Sequence, residues 1–201
     1  MERLFDEARE CRRCPAVCPG SAVLGPANGP APADVMFVGE APGRLGAART
    51  GVPFQGDESG RRFEALLDAA TLRRDEVFVT NAVLCTPLDA IGRNRRPTVG
   101  EINSCGGYLV GTIEAVNPRL VVALGLVALS ALATIEPHGL VLRDHAGTTV
   151  TWNRRTLVAL YHPSRQAELH RDWQAQLADW RRVFAGEGRH SSMTTFQSRM
   201  R

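Results

Sequence analysis

The chain has 201 residues, a formal net charge of +3 and an apolar fraction of 44%. This length suits one domain that buries a substantial core. The longest apolar run, over residues 120–132, is too short and too interrupted to predict a membrane-spanning helix. All 24 residues counted as lysine or arginine are arginines, and the mild positive charge permits a nucleic-acid partner without requiring one.

Helices alternate with short apolar strands along the chain. In order, the predicted elements are a helix over 2–13, a long loop over 15–32, a strand over 34–38, a helix over 59–70, a strand over 77–80, an irregular stretch over 86–97, a helix over 98–116, a strand over 120–124, a helix over 126–132, a strand over 156–160 and a helix over 166–184. Ser59 is the expected N-cap of the second helix. Thr98 and Glu101 have the spacing of a capping box.

This alternation is typical of a parallel sheet that is covered on both faces. We therefore predict an α/β fold: a doubly wound, mostly parallel four-stranded central sheet with helices on both faces, in a three-layer α/β/α sandwich. Residues 1–185 are expected to form a single domain and a monomer, and the polar residues 186–201 a disordered tail. The charged first ten residues lack the apolar stretch of a secretory signal, which favours a cytoplasmic location.

The placement of the five cysteines predicts a metal site. Cys11 and Cys14 form a C-x-x-C pair, and Cys85 and Cys105 follow far downstream. Four thiols from three separated segments are typical ligands of a tetrahedral zinc ion or of a [4Fe–4S] cluster. Free thiols and disulfides are the alternatives, and disulfides suit a reducing compartment poorly. Cys18 leaves open which four of the five thiols would bind.

Polar residues stand at the ends of three of the four predicted strands. Gly39 and Glu40 follow the first strand, Asn81 follows the second and His162 follows the fourth. Ligands of doubly wound sheets bind outside the carboxyl ends of the strands. A single histidine or asparagine at such a position is more often structural, but several at one edge of a sheet indicate a functional site.

Six motifs together carry a resemblance to a known family. They are Cys11-Arg-Arg-Cys14-Pro15, Val38-Gly-Glu-Ala-Pro-Gly43, Arg49-Thr-Gly-Val-Pro-Phe-Gln-Gly-Asp-Glu-Ser-Gly60, Thr80-Asn-Ala-Val-Leu-Cys85, Asn94-Arg-Arg-Pro-Thr98 leading to Cys105, and Tyr161-His-Pro-Ser-Arg165. In this order, over most of residues 8–185, the chain resembles the iron–sulfur uracil-DNA glycosylases called family 4 and family 5. Its Gly-Glu-Ala-Pro-Gly motif looks like family 4, whereas Arg-Thr-Gly and Gly-Asp-x-Ser-Gly look more like family 5.

The resemblance implies a cofactor, a partner and a reaction. The cluster ligands of the family match Cys11, Cys14, Cys85 and Cys105, which implies a structural [4Fe–4S] cluster and leaves Cys18 as a spare thiol. The implied partner is DNA that contains uracil or another deaminated base, and the implied reaction is hydrolysis of the N-glycosidic bond at the start of base excision repair. The likeness to family 5 adds hypoxanthine and xanthine to the expected substrates.

Breaking this bond requires a flipped base, a hold on that base and stabilisation of its developing negative charge. His162 is expected to donate a hydrogen bond to the base O2. Asn81 is expected to pair with the polar edge of uracil, and Phe54 to stack on the base beside Gly39. A helix cap or a place in the core is the alternative role for these side chains.

A carboxylate is also needed, to position water or to stabilise the oxocarbenium ion. Asp57 and Glu40 are the two candidates. Asp57 is slightly favoured because it precedes a predicted helix and matches the family 5 pattern, while the loop 44–49 lacks the further carboxylates of family 4. Either residue could instead cap a helix or accept from loop amides.

Several residues are candidates for gripping DNA. Ser164 and the following amides stand at the start of a predicted helix, where a phosphate is favourable. Arg165 follows directly, and Arg93, Arg95 and Arg96 form a second group in the loop after Cys85. The alternative for these arginines is a solvated face.

The absence of lysine from the sequence excludes a lysine imine, so a monofunctional glycosylase is predicted. One rival is an iron–sulfur protein that recognises deaminated bases in nucleic acid without turnover, and Asn81 and His162 argue against it. The other is an electron-transfer module, which a polar cleft at the sheet edge disfavours.

Overall fold

A computed structural model describes residues 1–14 and 21–185 of the chain. The predictions for Cys18 and for the tail over 186–201 therefore lie outside the described residues. No helix within the described ranges is long and apolar enough to cross a membrane.

One five-stranded sheet runs through the described part of the chain, in the order β2-β1-β3-β5-β4. The strands are β1 Val35–Gly39, β2 Val77–Asn81, β3 Leu120–Leu124, β4 Thr149–Trp152 and β5 Arg155–Leu160. Strand β1 pairs in parallel with β2 and β3, and β3 pairs in parallel with β5. The carboxyl ends of these four strands therefore lie along one edge of the sheet.

The predicted fold class is confirmed, but the predicted number of four strands is wrong. Strand β4 pairs antiparallel with β5 at the edge of the sheet. It has no apolar run that the sequence could reveal, because Thr149 and Thr151 are exposed. Asn153 and Arg154 connect the two strands with φ angles of 47° and 58°, as a two-residue hairpin turn of this hand requires.

Helices precede the first strand, lie between most of the strands and follow the last one. They are α1 Glu2–Arg9, α2 Ala47–Thr50, α3 Glu58–Ala69, α4 Val99–Val116, α5 Leu126–Ala133, α6 Leu142–His145 and α7 Trp173–Phe184, with short 3-10 helices at Pro26–Asn28, Arg74–Glu76 and Arg165–Leu169.

Three helix predictions need correction. The helix predicted over 2–13 ends at Arg9. The helix predicted from Ser59 begins one residue earlier, because Asp57 rather than Ser59 is its N-cap. The single helix predicted over 166–184 is a short 3-10 helix followed by α7, whose start at Trp173 is capped by the Asp172 side chain.

Two cores form because side chains alternate between the faces of the sheet. Phe37 of β1 packs on one face with Phe63 of α3 and with Trp180 and Phe184 of α7. The rings of Phe37 and Trp180 stack with centroids 5.2 Å apart, an arrangement that adds about 0.5–1.5 kcal/mol to simple burial. Helices α1, α4 and α5 cover the opposite face, where the sheet contributes residues such as Met36.

The predicted capping box at the start of α4 is present. The Glu101 backbone N–H donates to Thr98 Oγ1 at 3.2 Å, and the Thr98 backbone N–H donates to the Glu101 carboxylate at 2.7 Å. The Arg95 guanidinium also donates to both carboxylate oxygens, at 2.8 and 2.6 Å. Chiefly because of Arg95, and with help from Thr98, the pKa of Glu101 falls to about 2 although burial opposes the fall.

Glu101→Gln should lower the free energy of unfolding at neutral pH, by about 1.5–3 kcal/mol for lost hydrogen bonds to a charged group. The folded pKa lies below the ordinary value, so the stabilisation is complete above about pH 4.5 and is lost as the pH falls toward 2. The difference between wild type and variant should therefore shrink over that range, as urea unfolding followed by circular dichroism can measure. Asp75→Asn, which disrupts an exposed pair with Arg73, is the control and should change stability by at most about 1 kcal/mol. A difference that stays constant between pH 7 and pH 2.5 would contradict this account of Glu101.

Candidate active site

A cleft of about 440 Å³ opens at the carboxyl edge of the sheet. It is lined by residues that follow β1, β2, β3 and β5. The residues predicted from sequence that line it are Glu40, Phe54, Asp57, Asn81, Arg95, Arg96, His162 and Ser164. The structure thus brings together side chains from segments more than 100 residues apart.

Gly39, predicted from sequence as a base-binding residue, is not among the residues that line the cleft but closely approaches two that are. Gly39 and Asn81 are direct partners in the parallel ladder of β1 and β2. A Cβ atom on Gly39 would lie 2.5 Å from Asn81 Oδ1 and 3.2 Å from the Phe54 ring. Only glycine therefore allows the amide and the ring to meet at this point, and Asn81 is held there with 4% exposure.

Phe54 belongs both to the cleft and to the core. Its ring stacks on Phe63 with centroids 4.5 Å apart and lies 5.6 Å from the His162 ring. Its φ angle is 54°, an unfavourable conformation for a bulky residue. A Cβ atom on Gly60 would lie 2.4 Å from the Phe54 carbonyl oxygen, so the start of α3 packs tightly against this loop and holds the ring in place.

His162 stands half-buried in the cleft wall. Burial lowers the pKa of its imidazole to about 4, although the charge of Asp57 acts in the opposite direction. The ring is therefore neutral at physiological pH and keeps one N–H to donate. A Cβ atom on Gly125, at the end of β3, would lie 3.3 Å from His162 Cβ, which shows how closely the two strand ends approach.

Asp57 has a structural bond as well as a place in the cleft. Its Oδ1 accepts from the Gly60 backbone N–H at 2.9 Å and so caps α3. Its Oδ2 lies against two glycines of the loop after β1, where a Cβ would stand 2.9 Å away at Gly43 and 2.3 Å away at Gly46. Both carboxylate oxygens are thereby held in fixed positions.

Glu40 is in a different environment. It is half-buried in the cleft wall, and burial raises the pKa of its carboxyl, while the positive charge of Arg96 lowers it. A carboxyl with a raised pKa in a cleft is typical of groups that exchange protons. The two carboxylates that the sequence left as alternatives thus share one cleft but differ in their partners.

The predicted DNA-contacting residues do not form one group. Arg95 is half-buried in the cleft lining and is engaged by Glu101 and by the Leu88 carbonyl, which accepts from Nε at 3.0 Å. Arg93 and Arg96 are exposed. Arg165 is also exposed and forms an ion pair with Glu58 at 3.4 Å.

Ser164 lies in the cleft, but the long helix predicted to begin there does not. The five-residue 3-10 helix that starts at Arg165 receives no side-chain cap from Ser164. The expectation of an α-helix N-terminus for phosphate at this position is therefore wrong, because the chain turns before α7 begins.

Sequence reasoning missed one residue that shapes the cleft. The Asn94 side chain accepts from the Arg44 backbone N–H at 3.0 Å and so joins the loop after β1 to the loop after β2. The residue stood in a recognised motif, but a contact across 50 positions leaves no local pattern.

The four predicted cluster ligands line a second, smaller cavity of about 20 Å³, on the α1 and α4 side of the sheet. No disulfide joins Cys11, Cys14, Cys85 and Cys105. Burial, together with the three neighbouring thiols, raises the pKa of Cys105 to about 11, although the Leu84 backbone N–H donates to its Sγ at 3.3 Å. Across residues 1–14 and 21–185, no three His, Cys, Asp or Glu side chains are arranged to hold a metal ion.

Comparison with known proteins identifies the family. Residues 26–183 match the model of the uracil DNA glycosylase superfamily. The chain belongs to this superfamily. It is 34% identical over 179 residues to the type-4 uracil-DNA glycosylase of Archaeoglobus fulgidus, which covers 82% of the chain and 83% of that relative. The type-4 enzyme of Thermotoga maritima is 32% identical over 166 residues, or 82% of the chain and 81% of the relative.

Relatives of a second type also match. The type-5 uracil-DNA glycosylase of Pyrobaculum aerophilum is 37% identical over 145 residues, which is 66% of the chain and 62% of that relative. The resemblance inferred from the six motifs is confirmed, and similarity to both types agrees with the mixture of motifs in the sequence.

Substitutions of Asp57 separate its structural role from any chemical one. Asp57→Ala removes the N-cap of α3 and should lower the free energy of unfolding by about 0.5–2 kcal/mol. Asp57→Asn should retain most of that stability, because asparagine caps helices about as well. Urea unfolding of both variants, with Asp172→Ala as the matched loss of the cap of α7, provides the measurement. Equal destabilisation by Asn and Ala would show that the cap is not what Asp57 contributes.

Proposed function

We propose that the protein is a monofunctional DNA glycosylase that hydrolyses the N-glycosidic bond of uracil in DNA and so initiates base excision repair. The observation that carries the proposal is the convergence, above Gly39, of an aromatic ring, a buried amide, a neutral imidazole and two carboxylates in one cleft. The names of the type-4 and type-5 relatives support the same reaction.

The floor of the cleft suits a flat base that has been turned out of the duplex. The Phe54 ring, backed by Phe63, offers a face for stacking. The Asn81 amide lies beside it and has both a donor and an acceptor for the polar edge of uracil. Gly39 lets the amide and the ring lie next to each other, because any side chain there would collide with Asn81.

His162 is the proposed donor to the leaving base. Negative charge collects on the base O2 as the glycosidic bond lengthens, and a donor already in place stabilises it without reorganisation. The lowered pKa makes the imidazole a neutral donor, which stabilises the anion by hydrogen bonding and need not give up its proton. A single donor of this kind contributes about 2.7–4 kcal/mol to lowering the barrier.

The two carboxylates have different proposed roles. Glu40, with its raised pKa and no helix to cap, orients the attacking water and accepts its proton. Asp57 supplies a fixed negative charge for the developing oxocarbenium ion, because one of its oxygens is bound to Gly60 and cannot turn away. With no lysine in the chain, water is the nucleophile and the reaction ends at an abasic site.

The lining of the cleft includes Ala41, Pro42, Gly43 and Ala47, which are small residues. We propose that this wall accepts hypoxanthine and xanthine as well as uracil. The exposed Arg93, Arg96 and Arg165 and the hydroxyl of Ser164 are the proposed contacts to the DNA backbone.

We propose that the four thiols hold a [4Fe–4S] cluster. They line one cavity and come from the N-terminal arm, the segment after β2 and α4. In a cluster the four cysteines bind separate iron atoms and so stand around it. The Leu84 N–H would hydrogen-bond to a ligand sulfur. When bound, the cluster would act as a structural cross-link between the N-terminal arm, the segment after β2 and α4.

Oligonucleotides that carry uracil, hypoxanthine, xanthine or mismatched thymine, followed by alkaline cleavage, test activity and substrate range together. We expect strand breaks at uracil. Under single-turnover conditions His162→Ala should slow release by about 10²–10³-fold, and Glu40→Gln by about 10²–10⁴-fold, with DNA affinity largely kept.

Glu64→Gln, on an exposed position of α3, is the matched control and should keep the wild-type rate. Tight binding of uracil-containing DNA without any strand break would support the binding protein that lacks turnover and would reject the glycosylase.

Iron and acid-labile sulfide analysis after anaerobic purification tests the cofactor. We expect a brown protein with about four iron and four sulfide atoms per chain. Cys105→Ser should lose iron and lower the midpoint of thermal unfolding, whereas Cys18→Ser, the thiol without a counterpart in the family, should keep both. One zinc ion per chain without iron would overturn the cluster assignment.

A further inference from the structure

The loop over residues 86–97, here called the arginine loop, is fastened to α4 by one side chain. The Arg95 guanidinium forms a two-pronged contact with Glu101, donates through Nε to the Leu88 carbonyl and donates through Nη1 to the Arg96 carbonyl at 3.0 Å. Arg95 therefore joins both ends of its own loop to the first turn of the helix. Bidentate pairs of this kind are geometrically specific as well as strong.

The same loop supports the cleft through Asn94. The Asn94 amide oxygen accepts from the Arg44 backbone N–H, at the end of the motif that begins with Gly39 and Glu40. The contact of Arg95 with α4 thus reaches the loop that carries the proposed water-orienting carboxylate.

Arg96, which follows Arg95 in the sequence, brings a positive charge to the lining of the cleft. Arg96 and Glu40 both belong to the wall of the cleft. The backbone of Arg96 is held by the Arg95 guanidinium, so the direction in which Arg96 leaves the loop depends on the contact between Arg95 and Glu101. Arg96 is the cation whose charge acts on Glu40.

We propose that Arg95 is a positioning residue. Its bidentate contact with Glu101, here called the lock, holds Asn94 and Arg96 in the cleft wall. The lock thereby sets the positive charge that acts on Glu40. The assignment of Glu40 as the group that is tuned rests on the proposed glycosylase function. The lock itself does not, because it consists of contacts among Arg95, Glu101 and the loop backbone.

Glu40 faces further titratable groups, and the test must allow for them. The other charged or titratable residues that line the same cleft are Asp57, Arg95, Tyr161, His162 and His170. Arg95 is itself among these groups, so a rise of the Glu40 pKa that adds to the effect of Arg96→Met would be a direct effect of the Arg95 charge. Only a rise that the two single variants share is assigned to the arginine loop.

The experiment compares Arg95→Met and Arg96→Met with their double variant in the full chain. Arg73→Met is the matched control, because Arg73 makes a similar two-pronged contact with Asp75 at the amino edge of the sheet, away from the cleft. The pKa of Glu40 is read directly from carboxyl carbon chemical shifts of glutamate-labelled protein, assigned by the loss of one signal in Glu40→Gln.

We expect the Glu40 pKa to rise in both single variants, because Arg96→Met removes the cation that favours the ionised carboxyl and Arg95→Met releases that cation from its place in the cleft wall. The double variant should show no further rise, since both changes remove the same interaction. In single-turnover kinetics the fall of the rate toward acid pH should begin at a higher pH. Arg73→Met should match wild type in both measurements.

Limited trypsin digestion gives a second readout that needs no enzymatic activity. Release of the loop should speed cleavage after Arg93 by about tenfold in Arg95→Met, as expected when a loop opens locally. Glu101→Gln, which keeps an amide to cap α4, should speed it less. Arg95→Lys should restore part of the protection, because lysine keeps the positive charge but cannot form the bidentate pair of hydrogen bonds with Glu101.

The outcomes separate the two proposals. An unchanged Glu40 pKa in Arg95→Met together with a raised pKa in Arg96→Met, or additive shifts in the double variant, overturns the positioning role. Loss of trypsin protection in Arg73→Met to the same extent overturns the claim that the lock is specific. A raised pKa with unchanged release by Glu40→Gln supports the lock and rejects Glu40 as the water-orienting group.

Discussion

The parallel pairing of β1 with β2 places Gly39, which has no side chain, directly beside Asn81. The other features of the site depend on this close approach. Because no Cβ fills that point, the buried amide and the Phe54 ring can lie next to each other. The pairing continues past the ends of the strands: the Ala82 N–H donates to the Gly39 carbonyl, and the Val83 N–H to the Glu40 carbonyl. The backbone that carries the site is thereby held rigid where loops are usually mobile.

This extended pairing also connects the cleft with the thiol cavity. Asn81 lies in the cleft, and four residues later Cys85 lies in the cavity. Leu84 stands between them and donates its N–H to Cys105 of α4. A cluster in the cavity would therefore brace the segment that carries Asn81. The arginine loop, which runs from this segment to α4, is braced from the other side by Arg95 and Glu101.

The titratable side chains of the cleft lie in different environments, because each packs against different neighbours. Asp57 caps α3 and is fixed by that bond, whereas Glu40 is partly desolvated in the cleft wall, where the charge of Arg96 acts on it. Burial likewise keeps His162 neutral in the same cleft. Acid–base mechanisms require neighbouring titratable groups to have different pKa values, and different environments provide them. The two carboxylates thus differ in their contacts although they carry the same chemical group.

Local patterns in the sequence determined the alternation of strands and helices, the capping box of α4 and the polar residues at the strand ends, because each is encoded within a few neighbouring positions. Family motifs identified the superfamily in the same way. Tertiary structure alone decided that Arg95 binds Glu101, that Asn94 reaches Arg44, and that an exposed edge strand, β4, completes the sheet. These features depend on which distant segments pack together, and a residue's partner across 50 positions leaves no trace in its neighbours.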